Sequence, residues 1–279
     1  MPTVSRASRA NALNGRDWTR FSVSVWSDLH KSPDERRFGH PASFPLSLAR
    51  RLIACYCPPD GRVVCDPFAG VGTTLLAAQE SGKTGVGIEL SPTYWERAQN
   101  RLAHHQLTFD TFHDPQSSTL FLGDARQFDT ILRTHQWVEP FDLIITSPPY
   151  WDILRQKHSA DGKDSVYYSD SPADLGNEAD YRVFVDTFAE IFDPLYTRLT
   201  PGGYAIVNVM DLRKGSDFYL LHADVAHAFQ SHGWVLDDLI IWDRRQDYNT
   251  LKPLGYPAVF RINRVHEYLL VFRKPADGN

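Results

Sequence analysis

From residue 62 onward the chain alternates short apolar runs rich in β-branched residues with longer stretches whose apolar positions recur at helical spacing. The runs are Arg62 to Cys65, Thr84 to Ile88, Thr119 to Leu122, Phe141 to Thr146 and Tyr204 to Val209. Between them lie Thr73 to Ser81, Pro92 to His104 and Tyr181 to Leu199, the second opened by Ser91-Pro92 as a cap and first-turn proline. A further helix from about Phe218 to His232 leads into two late strands, Val235 to Trp242 and His266 to Phe272. Parallel strands need helical crossovers of one hand, so this order leaves few topologies open. The expected fold is α/β and Rossmann-like: a mostly parallel, seven-stranded sheet with helices on both faces and an antiparallel strand at one edge. Apolar residues make up 42% of the 279 and charged residues 23%, a balance that suits a globular chain with a substantial core.

Ligands of such sheets bind beyond the carboxyl ends of the strands, so the residues just after each strand carry the argument. The first strand runs into Asp66-Pro67-Phe68-Ala69-Gly70-Val71-Gly72-Thr73-Thr74 and then a helix. Gly70 and Gly72 permit a tight turn and close approach of a ligand to backbone, and the threonines cap a helix whose N–H groups face that ligand. Leu75 stands where a dinucleotide fingerprint has its third glycine, and no Gly-Lys-Ser/Thr of a Walker loop follows. Glu89 ends the second strand, where a carboxylate can accept from both hydroxyls of a ribose or serve as a helix N-terminal acid. Asp124, after the third strand, can accept from an adenine amino group or be a solvated turn residue. The fourth strand leads into Thr146-Ser147-Pro148-Pro149-Tyr150. The two prolines hold the backbone extended and have no N–H, leaving their carbonyls to accept from an amine, with the Ser147 hydroxyl and Tyr150 ring alongside.

Charge and cysteine content exclude other classes. The net charge of −5 does not suit a protein that coats nucleic acid. Its distribution is uneven, however: residues 1–51 hold nine Lys/Arg against four Asp/Glu, residues 241–274 seven against three, and residues 52–240 thirteen against twenty-six. If the chain ends meet, an acidic protein gains a locally basic face. Ser159 to Asp180 carries six acids and one lysine among Gly, Ser and Pro, and reads as a mobile loop. Cys55, Cys57 and Cys65 read as reduced, buried thiols, with no second pair to complete a zinc site, so no metal is expected. No apolar run is long enough for a membrane span or placed for a secretory signal, and a cytoplasmic protein is expected.

The motifs together resemble the amino-methyltransferase family that methylates exocyclic base nitrogens in DNA with S-adenosylmethionine. The resemblance runs over residues 17–274. Gly39-His40-Pro41-Ala42-Ser43-Phe44-Pro45-Leu46, with the helical Ser47 to Cys57, is similar to the family's motif preceding the cofactor loop. Asp66 to Thr74, including Phe68, Gly70, Gly72, Thr73 and Thr74, resembles the methionine-binding loop. Gly85 to Glu89 resembles the segment with the ribose-binding acid, and Gly123-Asp124-Ala125 the adenine-binding turn. Ser147, Pro148, Pro149 and Tyr150 resemble the catalytic motif, and His266 to Lys274 the last strand. The cofactor motif precedes the catalytic one, whereas many members with a serine have the reverse order. The resemblance implies a class I methyltransferase domain over 17–274, with 1–16 as a frayed tail and 275–279 as a second tail. Candidate target-recognition insertions are 151–180 and 244–264.

By resemblance, the Ser147 hydroxyl and Pro148 carbonyl accept the two protons of a target amine and draw its nitrogen toward tetrahedral geometry. The base is flipped from double-stranded DNA and stacked on Tyr150. A serine in the first position is, in that family, typical of cytosine N4. Adenine N6, guanine N2 in RNA, and a silent nucleic-acid-binding partner are the alternatives. No cysteine lies near the fourth strand to attack a cytosine ring. Arg155, Lys157, Arg244, Arg245, Tyr248, Lys252, Arg261 and Arg264 are candidate phosphate and base-edge contacts, with ordinary surface as the equal alternative. Trp18, Trp26, Trp151, Trp234 and Trp242 are expected in core or edge packing, with a wall of the base pocket as the alternative for Trp151 beside Tyr150. A cognate restriction endonuclease is a candidate partner.

Overall fold

The computed structural model describes residues 9–33, 35, 44–108, 118–151, 173–247, 251 and 253–276. In chain order the elements are α1 (Gly15–Phe21), β1 (Val25–Trp26), α2 (Leu46–Tyr56), β2 (Val63–Asp66), α3 (Thr73–Glu80), β3 (Thr84–Glu89), α4 (Pro92–Thr108), β4 (Thr119–Leu122), α5 (Phe128–Thr134) and β5 (Phe141–Thr146). Then follow α6 (Tyr181–Arg198), β6 (Leu199–Val209), β7 (Leu212–Lys214), β8 (Asp217–Tyr219), α7 (Leu221–Ser231), β9 (Val235–Asp243) and β10 (His266–Arg273).

The main sheet has the order β1-β9-β10-β6-β5-β2-β3-β4. Strands β4, β3, β2, β5 and β6 are parallel neighbours, and β10 runs antiparallel to both β6 and β9. The Rossmann-like reading holds, with two differences of detail. Among the described residues the main sheet has eight strands because the two-residue β1 adds to β9, too short a segment to show periodicity. The antiparallel strand lies inside the sheet, two strands from the edge. After β2 the chain goes to β3 on one side and returns to β5 on the other, so a crevice opens at the carboxyl ends of β2 and β5.

Side chains alternate between two cores. Val63 and Cys65 of β2, Ala205, Val207 and Val209 of β6, and Leu270 and Phe272 of β10 join Phe184, Phe188, Phe192 and Phe229 on one face. Val64, Ile206, Leu269 and Val271 face Leu48, Leu52, Trp26 and Trp242 on the other. Helix α3 is apolar nearly all round and buried from Thr73 to Ala78, since it is wedged between the sheet and α2 and α4. The expected helix from Phe218 begins later, at Leu221. Asp217–Tyr219 pairs instead with Leu212–Lys214 in a hairpin turned at Gly215, whose φ is 61°. Helix α5 escaped the sequence reading because it is only seven residues long.

Within the segment read as an N-terminal tail, Asn11 is buried and donates to the Cys55 carbonyl at 2.9 Å, and Gly15 opens α1 on the Asn14 cap. Residues 1–8 lie outside the described residues, as do most of 151–180 (152–172) and Tyr248 and Lys252 of the second insertion. Trp26, Trp234 and Trp242 are buried, but Trp18 is exposed on α1. Cys57 and Cys65 are buried free thiols, while Cys55 is half-buried. Among the described residues no helix is long and apolar enough to cross a membrane.

Candidate active site

Strand β2 ends at Asp66, and the chain reaches α3 through a loop that needs glycine twice. Gly70 has φ 54° and Gly72 φ 75°, left-handed values that other residues adopt at a cost. A Cβ on Gly72 would also sit 3.2 Å from the Ala98 Cβ of α4. The Asp66 side chain holds this loop from beneath. Its Oδ1 accepts from the Phe68 N–H at 3.0 Å and the Thr146 hydroxyl at 2.7 Å, and its Oδ2 from the Thr74 hydroxyl at 2.6 Å. Burial pushes the carboxyl up to about 6, against the pull of these three donors. Asp66 and Thr74 are therefore bound up in shaping the loop. Thr73 accepts from Arg101 Nη1 at 2.9 Å.

Glu89, at the end of β3, ties the loop from the other side. Its Oε2 accepts from the Gly70 N–H at 2.8 Å and its Oε1 from the Ser91 N–H at 2.7 Å. Asp124 caps the short turn Ala125–Gln127, and Arg126 closes back on it with Nη2 2.7 Å from Oδ2. Arg126 also donates to the Ala173 carbonyl at 2.9 Å, linking this turn to the segment that begins at Ala173.

Strand β5 delivers Thr146 and then Ser147-Pro148-Pro149-Tyr150. The Ser147 Oγ is 3.3 Å from the Tyr150 Oη, which donates to Glu267 Oε2 at 3.0 Å. Glu267, on β10, also accepts from Asn208 Nδ2 and from Arg244 Nη1. Burial, then the Glu267 charge, holds the Tyr150 phenol well above its ordinary value, so it is a neutral donor.

Both loops border a single cleft of about 840 Å³, part of it open to solvent. Asp66, Phe68, Gly70, Thr73, Glu89 and Asp124 line it together with Ser147, Pro148 and Pro149. Gly72, Thr74 and Tyr150 lie behind this wall, Tyr150 only 7% exposed. A stacked base would require the neighbours of that ring to move, whereas its hydrogen bond to Ser147 is already in place. Trp151, with φ 46°, packs edge-on against Tyr181 and Tyr219 and carries Lys214 Nζ 4.1 Å over its ring.

The sequence reading missed some of the wall. Phe44, quoted within a motif but given no role, lines the cleft, as do Arg126, Ala173 and Leu175. Ala173 and Leu175 carry no chemical signal in sequence. Glu267 was visible only as one residue of the last strand. The remainder of Gly39 to Ser43 lies outside the described residues, as do Arg155 and Lys157. Among the basic candidates, Arg244 turns inward to Glu267 and Asp247, and Arg245 pairs with Asp243 on the surface. Arg261 donates to the Gly215 carbonyl at 2.8 Å, and Arg264 lies over Phe218, so both meet the β7–β8 hairpin.

Comparison with known proteins agrees with this geometry. A family model described as DNA methylase, of the N6/N4 methyltransferase type, matches residues 6–100 and 141–278. The Type II methyltransferase M.ScaI of Streptomyces caespitosus is 44% identical over 78 residues, 28% of this chain and 25% of that protein. The Type II methyltransferase M.MjaI of Methanocaldococcus jannaschii is 26% identical over 171 residues, 56% of this chain and 55% of that one. The aligned segments thus span about a quarter and about half of these two relatives. The crystal structure of TrmN from Thermus thermophilus superposes with a TM-score of 0.51 at 15% identity, covering 86% of this chain and 52% of that one, a likeness of fold. With the family model matching most of its length, the chain belongs to the N6/N4 DNA methylase family.

Proposed function

We propose that this protein transfers a methyl group from S-adenosylmethionine to the N4 amine of cytosine in double-stranded DNA. The observation that carries the reading is the shared cleft: the Ser147-Pro148-Pro149 turn and the Gly70 loop with Glu89 and Asp124 border one space. The cleft suits a charged nucleoside. Backbone at Gly70 is open to close approach, the N-terminus of α3 faces the loop, and carboxylates at Glu89 and Asp124 offer acceptors for hydroxyl and amino groups. When bound, the cofactor supplies an activated methyl group on a sulfonium that is already a good leaving group. This chain's residues then have to bind and orient.

An exocyclic amine is a weak nucleophile because its lone pair is delocalised into the ring. The Ser147 hydroxyl and Pro148 carbonyl accept hydrogen bonds from its two N–H groups, draw the nitrogen out of conjugation and stabilise the positive charge that grows on it until one of those protons is lost to solvent. Holding the amine beside the methyl donor supplies much of the rate, and no covalent enzyme intermediate is needed. The base reaches the cleft flipped from the duplex. Serine at position 147 is what favours cytosine N4 over adenine N6.

Contacts to DNA are assigned to the segments 151–180 and 244–264 of a single catalytic domain. Tyr256, Phe260 and Ile262 are largely exposed beside Arg261 in the second, as suits a surface that meets stacked bases and phosphates. The same reading places the protein in the cytoplasm, with a cognate restriction endonuclease as partner. Methyl-labelled S-adenosylmethionine incubated with unmethylated bacterial DNA tests it. Label should enter the DNA with the wild type and not with Ser147→Ala, and label in RNA alone would refute it.

A further inference from the structure

We infer that Glu267 sets the hydrogen-bond polarity of Ser147 and so makes this site select an amine over a carbonyl. The inference deepens the functional reading above and rests on it for the nature of the target. A serine hydroxyl both donates and accepts, so by itself it welcomes a keto oxygen as readily as an N–H group. What surrounds Ser147 removes that ambiguity.

An ion-paired carboxylate accepts hydrogen bonds and has none to give. Glu267 is 3% exposed and is held as an acceptor by the Arg244 guanidinium and the Asn208 amide, both donating to it. The single proton of the Tyr150 phenol therefore goes to Glu267 Oε2, 3.0 Å away. With its proton committed, the Tyr150 oxygen can only accept from Ser147, 3.3 Å away. The Ser147 proton is committed in turn. What remains on Ser147 for the cleft it borders is lone pairs.

A cytosine amine meets those lone pairs with an N–H. The C4 carbonyl of thymine or uracil would bring lone pairs against lone pairs, and a polar group buried without a partner is strongly rejected. The relay is built on rigid parts. Glu267 lies on β10 opposite Trp242 of β9, and Asn208 lies on β6 opposite Leu269 of β10, so strand pairing holds both partners in place. Glu267 is a positioning residue: it acts on the target through Tyr150 and Ser147.

The test compares Glu267→Gln, Tyr150→Phe and the double variant, using methyl-labelled S-adenosylmethionine and unmethylated bacterial genomic DNA. Glutamine both donates and accepts, so it abolishes the fixed direction; phenylalanine cuts the relay while leaving Glu267 with Arg244 and Asn208. Each single variant should lower kcat roughly tenfold or more and leave KM for the cofactor unchanged. The double variant should be no slower than the slower single one, because both cut the same chain. Full kcat in either single variant, multiplying losses in the double, or an equal loss of cofactor affinity would overturn the inference. A second readout needs no turnover. The Tyr150 hydroxyl proton, assigned by its disappearance in Tyr150→Phe, should give a slowly exchanging NMR resonance that shifts in Glu267→Gln. An unshifted resonance means that Tyr150 does not donate to Glu267. A wild type that methylates no DNA would defeat the functional reading and leave this resonance to decide the relay.

Discussion

The Asp66 carboxylate and the Thr146 hydroxyl meet at 2.7 Å across 80 residues of sequence, joining the end of β2 to the end of β5. Because Asp66 also accepts from Thr74 and Phe68, one buried side chain braces both the glycine loop and the strand end that launches Ser147.

Replacing Asp66 by alanine leaves two buried hydroxyls and an amide without their acceptor. Each orphaned group costs about 1–3 kcal/mol, so Asp66→Ala should unfold at markedly lower urea concentration and lose cofactor binding with it. Normal binding in a stable Asp66→Ala protein would show that the brace is dispensable.

The same carboxyl predicts a pH dependence. Its folded value is raised to about 6 from an ordinary 3.8, so the folded protein binds this proton more tightly than the unfolded chain does. Its contribution to stability is therefore fullest below about pH 4, falls as pH rises to about 6, and is level above that. Asp66→Asn keeps the shape without the titration. Relative to that variant, the wild type should lose about 3 kcal/mol between pH 4 and pH 7 in urea denaturation. Parallel stability profiles for the two proteins would count against a buried, raised carboxyl.

How much of this was legible in the sequence depended on scale. The strand ends could be read because each carries its own local signal: Gly70 and Gly72 for left-handed backbone, Pro148 and Pro149 for an extended turn, and continuous β-branched apolar runs for strands buried on both faces, as in β2 and β6. What escaped is long-range pairing. Nothing near Glu267 in sequence announces Tyr150, 117 positions away, or the inward turn of Arg244. Likewise Phe218 and Tyr219 read as the start of a helix until Leu212–Lys214 is seen to pair with Asp217–Tyr219.

Gly72 should resist substitution. At φ 75°, with a Cβ 3.2 Å from Ala98, Gly72→Ala should cost about 1–2 kcal/mol from the left-handed backbone alone and weaken cofactor binding measured by calorimetry. An unchanged affinity and unfolding midpoint would mean the loop adapts freely.

Asp124 and Arg126 separate stability from binding. Arg126 is 42% exposed, and a pair of that kind contributes at most about 1 kcal/mol, so Asp124→Ala should barely move the unfolding midpoint. Cofactor affinity should nevertheless fall about tenfold if this carboxylate accepts from the adenine amino group. Equal affinities for variant and wild type would remove Asp124 from the binding site.

Thiol reagents should leave the enzyme active. Burial pushes Cys55 and Cys57 up to about 11, and Cys65 is fully enclosed, so little thiolate exists at pH 8. No cysteine is among the residues that line the cleft. Alkylation of the native protein should be slow, with methyl transfer unaffected; rapid loss of activity with one labelled cysteine would point to a different chemistry.

The most direct measurement is the identity of the methylated nucleoside. Unmethylated bacterial DNA is incubated with the protein and methyl-labelled S-adenosylmethionine, digested to nucleosides and resolved by mass spectrometry. Label in N4-methylcytosine, absent with Ser147→Ala, is the result this account predicts. Label in N6-methyladenine would overturn the base assignment while keeping the amine chemistry, and label at cytosine C5, or none in DNA despite cofactor binding, would contradict the account at its centre.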